Sequence, residues 1–318
     1  MTCDLTAEIF NDEEAARVHF ERLRWPDGPV CPHCGTVDQA TQMHGESTRP
    51  GLYKCRACRK PFTATMGTLY ERSHIPLHKW LLATHLMCAS KKGISAHQLW
   101  RMLGFGSYRT AWFMAHRIRE GMRELFPDAG GEKMGGPGKT VEADEAYIGG
   151  KDKNRHANKR KRIPGWSSKE PVVTLVERGG DVRSHHLPKV NAKNVGKIIE
   201  AQMKEKTTLY TDHSRIYRSM KPRLRPTATV NHHIGEYVRG DVHTNTEEGY
   251  FSILKRGING VYHHVSEQHL KRYLAEFDFR YNERMALGVD DKTRAERAVK
   301  GIEGNRLTYH QPSENTVA

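Results

Sequence analysis

Two sets of side chains in this chain have the types and the spacing to do chemistry. Cys31 and Cys34 form one Cys-x-x-Cys pair and Cys55 and Cys58 another, with 20 residues between the pairs. Each pair can set two thiolates on one tight turn, and two such turns complete a tetrahedron around one zinc ion. Gly35 suits the turn after the first pair, and Leu52–Lys54 reads as the strand leading into the second. Four thiolates close the coordination sphere, so the expected zinc is structural. Its binding supplies the folding free energy of a module too small for a core of its own. Arg56, Arg59 and Lys60 surround the second turn, which leaves the ribbon contact with DNA on one side and a purely architectural or protein-docking role on the other.

The second set is acidic. Thr140–Ile148 alternates with the period of a strand and holds Asp144 mid-strand, where a carboxylate is costly unless a cation or metal pairs with it. Thr207–Asp212 is a further strand that ends in an acid. His243–Arg256 reads as a helix beginning near Asn245, with Glu248 and Lys255 seven residues, two turns, apart on one face. Asp144, Asp212 and Glu248 together offer hard oxygen ligands for two magnesium or manganese ions about 3.5–4 Å apart, the requirement of two-metal phosphoryl transfer. Lys255 could steady a phosphate there. With 37 acids in the chain, solvated surface carboxylates are the competing account. Glu145 should point to the opposite face of its strand, solvated or ion-paired.

Several elements must position these groups. Ile75–Trp80 opens a helix that continues through Cys88, taken as a small core residue; Cys3 has no partner. Ser95 caps a short helix through Leu103, Gly104-Phe105-Gly106 turns the chain, and Ser107 caps a second helix. In a helix-turn-helix that second helix lies in the major groove, with Ser107, Tyr108, Arg109 and Thr110 at its start and Arg117 further along. Any two short helices joined by glycine look alike, and Ala111, Met114 and Ile118 pack a core in either case. Pro171–Glu177 is an apolar strand, and roughly Ser266–Arg284 is a core-packing helix. The histidines His232, His233, His243, His263 and His264 fit no zinc spacing and read as phosphate contacts or surface groups.

The expected organisation is an N-terminal segment with the ribbon (1–70), a helical DNA-binding segment (71–128), a linker (129–138), an α/β catalytic domain (139–290) and a C-terminal tail (291–318). A formal charge of +14 points to a polyanion, nucleic acid first, because cations that neutralise phosphates release counterions. The basic run centred on Lys159, Arg160, Lys161 and Arg162 is either a DNA-gripping loop or a solvated surface. No run of about 18 apolar residues is present to span a bilayer, and the N-terminus lacks a signal-peptide pattern, so the cytosol is the expected compartment.

The motifs Val141–Lys151, Tyr210-Thr211-Asp212, Val230-Asn231-His232, His243-Thr244-Asn245-Thr246-x-Glu248, Leu254–Gly257 and Phe279–Asn282, in that order behind Arg24–Gly35, resemble insertion-sequence transposases with an N-terminal zinc ribbon, the ISXO-like subgroup. The resemblance covers nearly the whole chain except the C-terminal tail. It implies a ribonuclease-H-like catalytic fold with a metal-binding acidic triad, carried onto Asp144, Asp212 and Glu248. In some members an Asn takes the third place, which here is Asn245, one helical turn before Glu248. The implied activity is cleavage at terminal inverted repeats and transfer of the freed end into target DNA, with Arg256 among the DNA contacts and at least a homodimer in the active complex. A nuclease or resolvase that cuts without joining, and a silent DNA-binding regulator, are the rival readings.

Overall fold

The computed structural model describes residues 4–124, 132–150, 169–220, 226–304 and 307, which fall into two compact units. The first holds the N-terminal part of the chain together with residues 285–304. Asp12 caps helix α1 (Glu13–Arg24) by accepting from the Ala15 amide. A three-stranded antiparallel sheet follows, β1 (Ala40–Gln42), β2 (Tyr53–Cys55) and β3 (Pro61–Phe62). Trp25 meets the edges of Tyr53 and Phe62 at 5.5 and 5.7 Å, a small aromatic floor under the sheet.

Helix α2 (Leu77–Ala89) buries Trp80, Leu81, Met87 and Cys88. Ser95 caps α3 (Ala96–Met102) through the Gln98 amide, and α4 (Tyr108–Glu124) follows the glycine turn, as the cap residues require. That turn is pinned from three sides: the Trp100 indole donates to the Phe105 carbonyl at 2.6 Å, Lys79 donates to the Leu103 carbonyl at 2.9 Å, and its ammonium sits 5.4 Å from the Phe105 ring. The segment 291–318, expected as a tail, contains a further helix at Asp291–Lys300 that packs on α2 and α4, with Arg294, Ala298 and Val299 buried. Arg294 donates to the Cys88 carbonyl at 3.1 Å. Among the described residues no helix is long and apolar enough to cross a membrane.

The second unit is a five-stranded mixed sheet with helices on both faces. Its elements are β4 (Thr140–Ile148), β5 (Glu170–Glu177), β6 (Val182–His186), α5 (Ala192–Gln202), β7 (Thr208–Asp212), α6 (Arg215–Arg218) and β8 (Ala228–Val230). A small hairpin of β9 (Val238–Arg239) and β10 (Val242–His243) precedes α7 (Asn245–Gly257) and α8 (Glu267–Asn282); the helix at Asp291–Lys300 of the first unit is α9. The strand order is β6-β5-β4-β7-β8, with β5 antiparallel to both its neighbours and β7 and β8 parallel to β4.

Period-two alternation along β4 sends Val141 and Ala143 into a core with α5 and α6, and Ala146 and Ile148 into a core with α7 and α8. The region expected as a linker is part of the first of these cores: Met134 is buried there, and its amide donates to the Gln202 carbonyl at 2.8 Å. Helices α7 and α8 approach closely because Gly257 has no side chain; a Cβ there would lie 2.3 Å from Phe277 Cζ.

Strand β6 is a sheet edge, and α8 covers it with side chains that imitate a neighbouring strand. Asn282 accepts from the Val182 amide at 2.7 Å and donates to the Val182 carbonyl at 3.0 Å, while Asp278 accepts from the Ser184 amide at 2.8 Å and its hydroxyl at 2.7 Å. Unpaired edge groups invite association with other strands, and these bonds close the edge. Asn282→Ala strands two buried backbone groups and should cost about 3 kcal/mol, from roughly 1–3 kcal/mol per unsatisfied group. Urea unfolding followed by circular dichroism measures it; a loss below about 1 kcal/mol would show that the edge is held by packing instead.

Candidate active site and metal centre

The cysteine module is assembled as its spacing requires. One ligand atom from each of Cys31, Cys34, Cys55 and Cys58 lies within 4.8 Å of the others. Cys31 and Cys58 sulfurs are 3.6 Å apart, and those of Cys34 and Cys55 3.7 Å. A zinc–thiolate tetrahedron with bonds of about 2.3 Å has edges of about 3.8 Å, so the four sulfurs fit zinc. Gly35 and Arg59, the residues after the second cysteine of each pair, both have positive φ (75° and 61°), the backbone form that turns each knuckle back. The Thr36 hydroxyl holds Cys34 down to about 6, whereas burial pushes Cys31 up to about 11. A bound cation is what brings the buried thiol to thiolate. Stripping zinc with a chelator, or Cys58→Ser, should therefore unfold the ribbon. A red shift of Trp25 emission in parallel with loss of one zinc per chain is the expected signature, and unchanged emission after complete metal loss contradicts it.

The acidic centre forms where the sheet opens. Pairing of β4 with β7 runs from Thr140–Thr208 to Ala143–Thr211 and stops, so from Asp144 onward β4 is bonded only to β5. Asp144 emerges on the α7 face and Glu145 on the α6 face, and Asp212 ends the neighbouring strand beside the gap. Carboxylate oxygens of Asp144, Glu145 and Asp212 all lie within 4.8 Å of one another. Glu145 thus points to the opposite face, as alternation demands, but is not a solvated bystander. With no strand beside it, its long side chain reaches the gap and accepts from the fully buried Tyr217 hydroxyl at 2.9 Å. Asp144 accepts from the Glu145 amide at 2.7 Å, and Asp212 from the Ser214 amide at 3.2 Å.

Burial, with the charge of Asp212 in addition, raises Asp144 to about 6; burial, with Asp144 and Asp212, raises Glu145 to about 7. Three carboxylates clustered this closely fit a hard divalent cation, whose octahedral oxygens stand about 3 Å apart in cis and about 4.2 Å in trans. Helix α7 lies over this centre. Glu247 is fully buried, faces Asp144 and shares a side-chain hydrogen bond with it; burial, the Asp144 charge and that bond hold Glu247 well above the usual carboxylate range. Glu248 and Asn245 instead share the exposed side of α7 with Lys255. The Glu248 carboxylate is 48% exposed and 3.9 Å from His232 Nδ1. The Lys255 ammonium, 5.2 Å from the Phe251 ring, acts on both Asp144 and Glu247.

The remaining sequence candidates divide. Ser107 caps α4 by accepting from the Arg109 amide at 3.2 Å, Tyr108 is exposed and stacked on His97 at 4.1 Å, and Arg109 is exposed. Arg117, expected among the DNA contacts, is turned inward: it donates to the carbonyls of Glu71 and Leu307, with its guanidinium 5.0 Å from the Phe113 ring and 5.8 Å from the Trp80 ring. Burying its long stem against those rings outweighs exposure of one more cation. Arg256 is exposed and bonded to Ser252 one turn back. Lys159, Arg160, Lys161 and Arg162 lie outside the described residues. His243 accepts from Arg178, and the other described histidines of that group, His232, His263 and His264, are at the surface or partly so.

Comparison with known proteins gives a match in each half of the chain. Residues 11–61 match the transposase zinc-ribbon domain, and residues 134–282 match the ISXO2-like transposase domain. The chain is 30% identical over 285 residues, 86% of its length and 92% of the relative's, to an uncharacterized protein in transposable element ISH50 of Halobacterium salinarum. No solved structure matches. A thiolate ribbon joined to an acid-bearing α/β domain of this kind defines a transposase of insertion elements. The chain belongs to the ISXO2-like transposase family.

The sign of the acid shifts makes a pH prediction. Asp144 and Glu145 bind protons more tightly folded (about 6 and about 7) than unfolded (about 4), so the cation-free fold loses stability as pH rises through this window. Asp144→Asn should flatten the fall in melting temperature between about pH 4 and 7 in buffer without added divalent cation, which leaves the ribbon zinc in place. An unchanged slope in that variant is the contrary result.

Proposed function

We propose that this transposase cleaves DNA at the terminal inverted repeats of its element and joins the freed 3′-hydroxyl to target DNA. The observation that carries the reading is the convergence of Asp144, Glu145 and Asp212 at the gap where β7 leaves β4, inside the family's transposase domain. Support for a ribonuclease-H-like domain comes from the sheet itself: its first strand is central and carries one aspartate, its fourth runs parallel beside it and carries the second, and a helix crosses the first strand.

When bound, two magnesium or manganese ions would supply Lewis acidity for in-line displacement at phosphorus, held by Asp144, Asp212 and an acid of α7. Asp144 and Asp212 would hold those ions at the end of the gap between β4 and β7, where the scissile phosphate is proposed to bind. Lys255, on the open face of α7, neutralises a phosphate oxygen. Glu248 is the third ligand of this reading, as the family resemblance implies; it lies on the open face of α7, 3.9 Å from His232, outside the cluster of Asp144, Glu145 and Asp212. The contact of Glu247 with Asp144 favours a second reading in which Glu247 takes the third place. The ribbon zinc is structural. Ser107, Tyr108, Arg109, Arg256 and the basic run around Arg160 grip DNA, and two copies pair the two element ends.

Incubating a labelled element end with the protein and manganese tests the proposal. Asp144→Asn and Asp212→Asn should lose cleavage and joining by more than about a hundredfold, the loss that even supporting residues of metal sites reach. Comparison of Glu248→Gln, Asn245→Ala and Glu247→Gln assigns the third ligand. Cleavage without joining makes the protein a nuclease, and binding without cleavage makes it a regulator.

A further inference from the structure

Glu142 is fully buried on β4, two residues before Asp144 and on the same face. A buried carboxylate is tolerated only when its oxygens are satisfied, and every donor it has comes from the approach to α7 or from the arginine beside it. Its Oε2 accepts from the amides of Thr246 at 2.9 Å and Glu247 at 3.1 Å. Its Oε1 accepts from the Thr246 hydroxyl at 2.9 Å and from Arg178 Nε at 2.6 Å.

Thr246 and Glu247 are the second and third residues of α7, whose orphan amides an N-cap side chain ordinarily satisfies. The residue at that position, Thr244, makes no side-chain cap bond. The cap is supplied instead by a strand more than 100 residues earlier in the chain. Its negative charge also meets the positive end of the helix dipole. Arg178 completes the clamp by donating to the carbonyls of Asp241 at 2.8 Å and His243 at 3.0 Å, the residues that lead into the helix.

We propose that Glu142 is a positioning residue of the catalytic centre, a cap in trans that sets the depth and rotation of α7 over the Asp144 strand. Resting on the reading of that centre as a divalent-cation site, the inference is that Glu142 acts on the cation and substrate only through α7. One strand carries both ends of the ruler: Glu142 grips the helix, and Asp144, about 7 Å further along at about 3.3 Å per residue, meets the acids that the helix presents. A shift at the cap therefore moves Glu247, Glu248 and Lys255 relative to Asp144.

The test compares wild type with Glu142→Gln and Glu142→Ala in the full chain. Amide hydrogen exchange at residues 245–248 should accelerate by roughly tenfold, the equivalent of a lost cap, while α8 exchange stays near wild type. Half-saturation by Mn2+, read from the melting temperature of the folded protein, should rise by about tenfold or more, the effect typical of residues that support metal ligands. Glu142→Gln keeps one acceptor oxygen and the side-chain volume, so it should retain the fold even where Glu142→Ala does not. Wild-type Mn2+ half-saturation in Glu142→Gln, or exchange that accelerates evenly over α7, α8 and the sheet, overturns the positioning role. If wild type itself neither binds Mn2+ nor cuts, the reading of the centre fails and the role falls with it; exchange at 245–248 then still reports on the cap alone.

Discussion

The arrangement of the second unit depends on one buried carboxylate gripping the start of one helix. Glu142 is fully buried, so its hydration must be replaced by protein donors, and the Thr246 and Glu247 amides, the Thr246 hydroxyl and Arg178 are held to it at hydrogen-bond distance. Hydrophobic burial of Tyr250, Phe251 and Leu254 holds α7 against the sheet, but apolar contact has little direction and would tolerate sliding. Hydrogen bonds to two successive amides specify the axial position and the rotation of the helix. That is the information an acidic site needs, since a turn of error would present different side chains to Asp144.

The acidic centre has the opposite character, three carboxylates gathered at one gap in the sheet. Its three carboxylates meet because β7 diverges from β4 after Ala143, which lets side chains from opposite faces of one strand reach the same gap. Burial and mutual repulsion raise Asp144 and Glu145 above the usual carboxylate range. In a chain of net charge +14, the local excess of negative charge is a specific feature against a basic background suited to a polyanionic substrate. The proposed strand transfer requires both: a surface that attracts DNA and one place that attracts a cation.

Local chemical rules made much of the chain legible. The cysteine spacing specified the ribbon because thiolate coordination needs two knuckles and little else. Ser95 and Ser107 marked helix starts because capping is a relation between near neighbours. Strands β4 and β7 and helix α7 declared themselves through period and composition, and with them Asp144, Asp212 and the acidic start of α7. The family resemblance rested on the same short motifs, and the comparisons bear it out.

What sequence by itself determined about this protein was therefore its family, its thiolate set and the strands and helix that carry its acids, all of them governed by neighbours a few residues apart. Tertiary structure alone decided that Glu142 caps a helix a hundred residues away, that Glu145 joins the site from the far face of its strand, and that Glu247 is the acid of α7 turned toward Asp144. It likewise turned Arg117 inward and made residues 291–300 part of a core. Each of these outcomes is set by which distant groups remove water from a side chain and which satisfy its polar atoms. Periodicity cannot express that relation, because it depends on how the chain packs and not on the order of its residues.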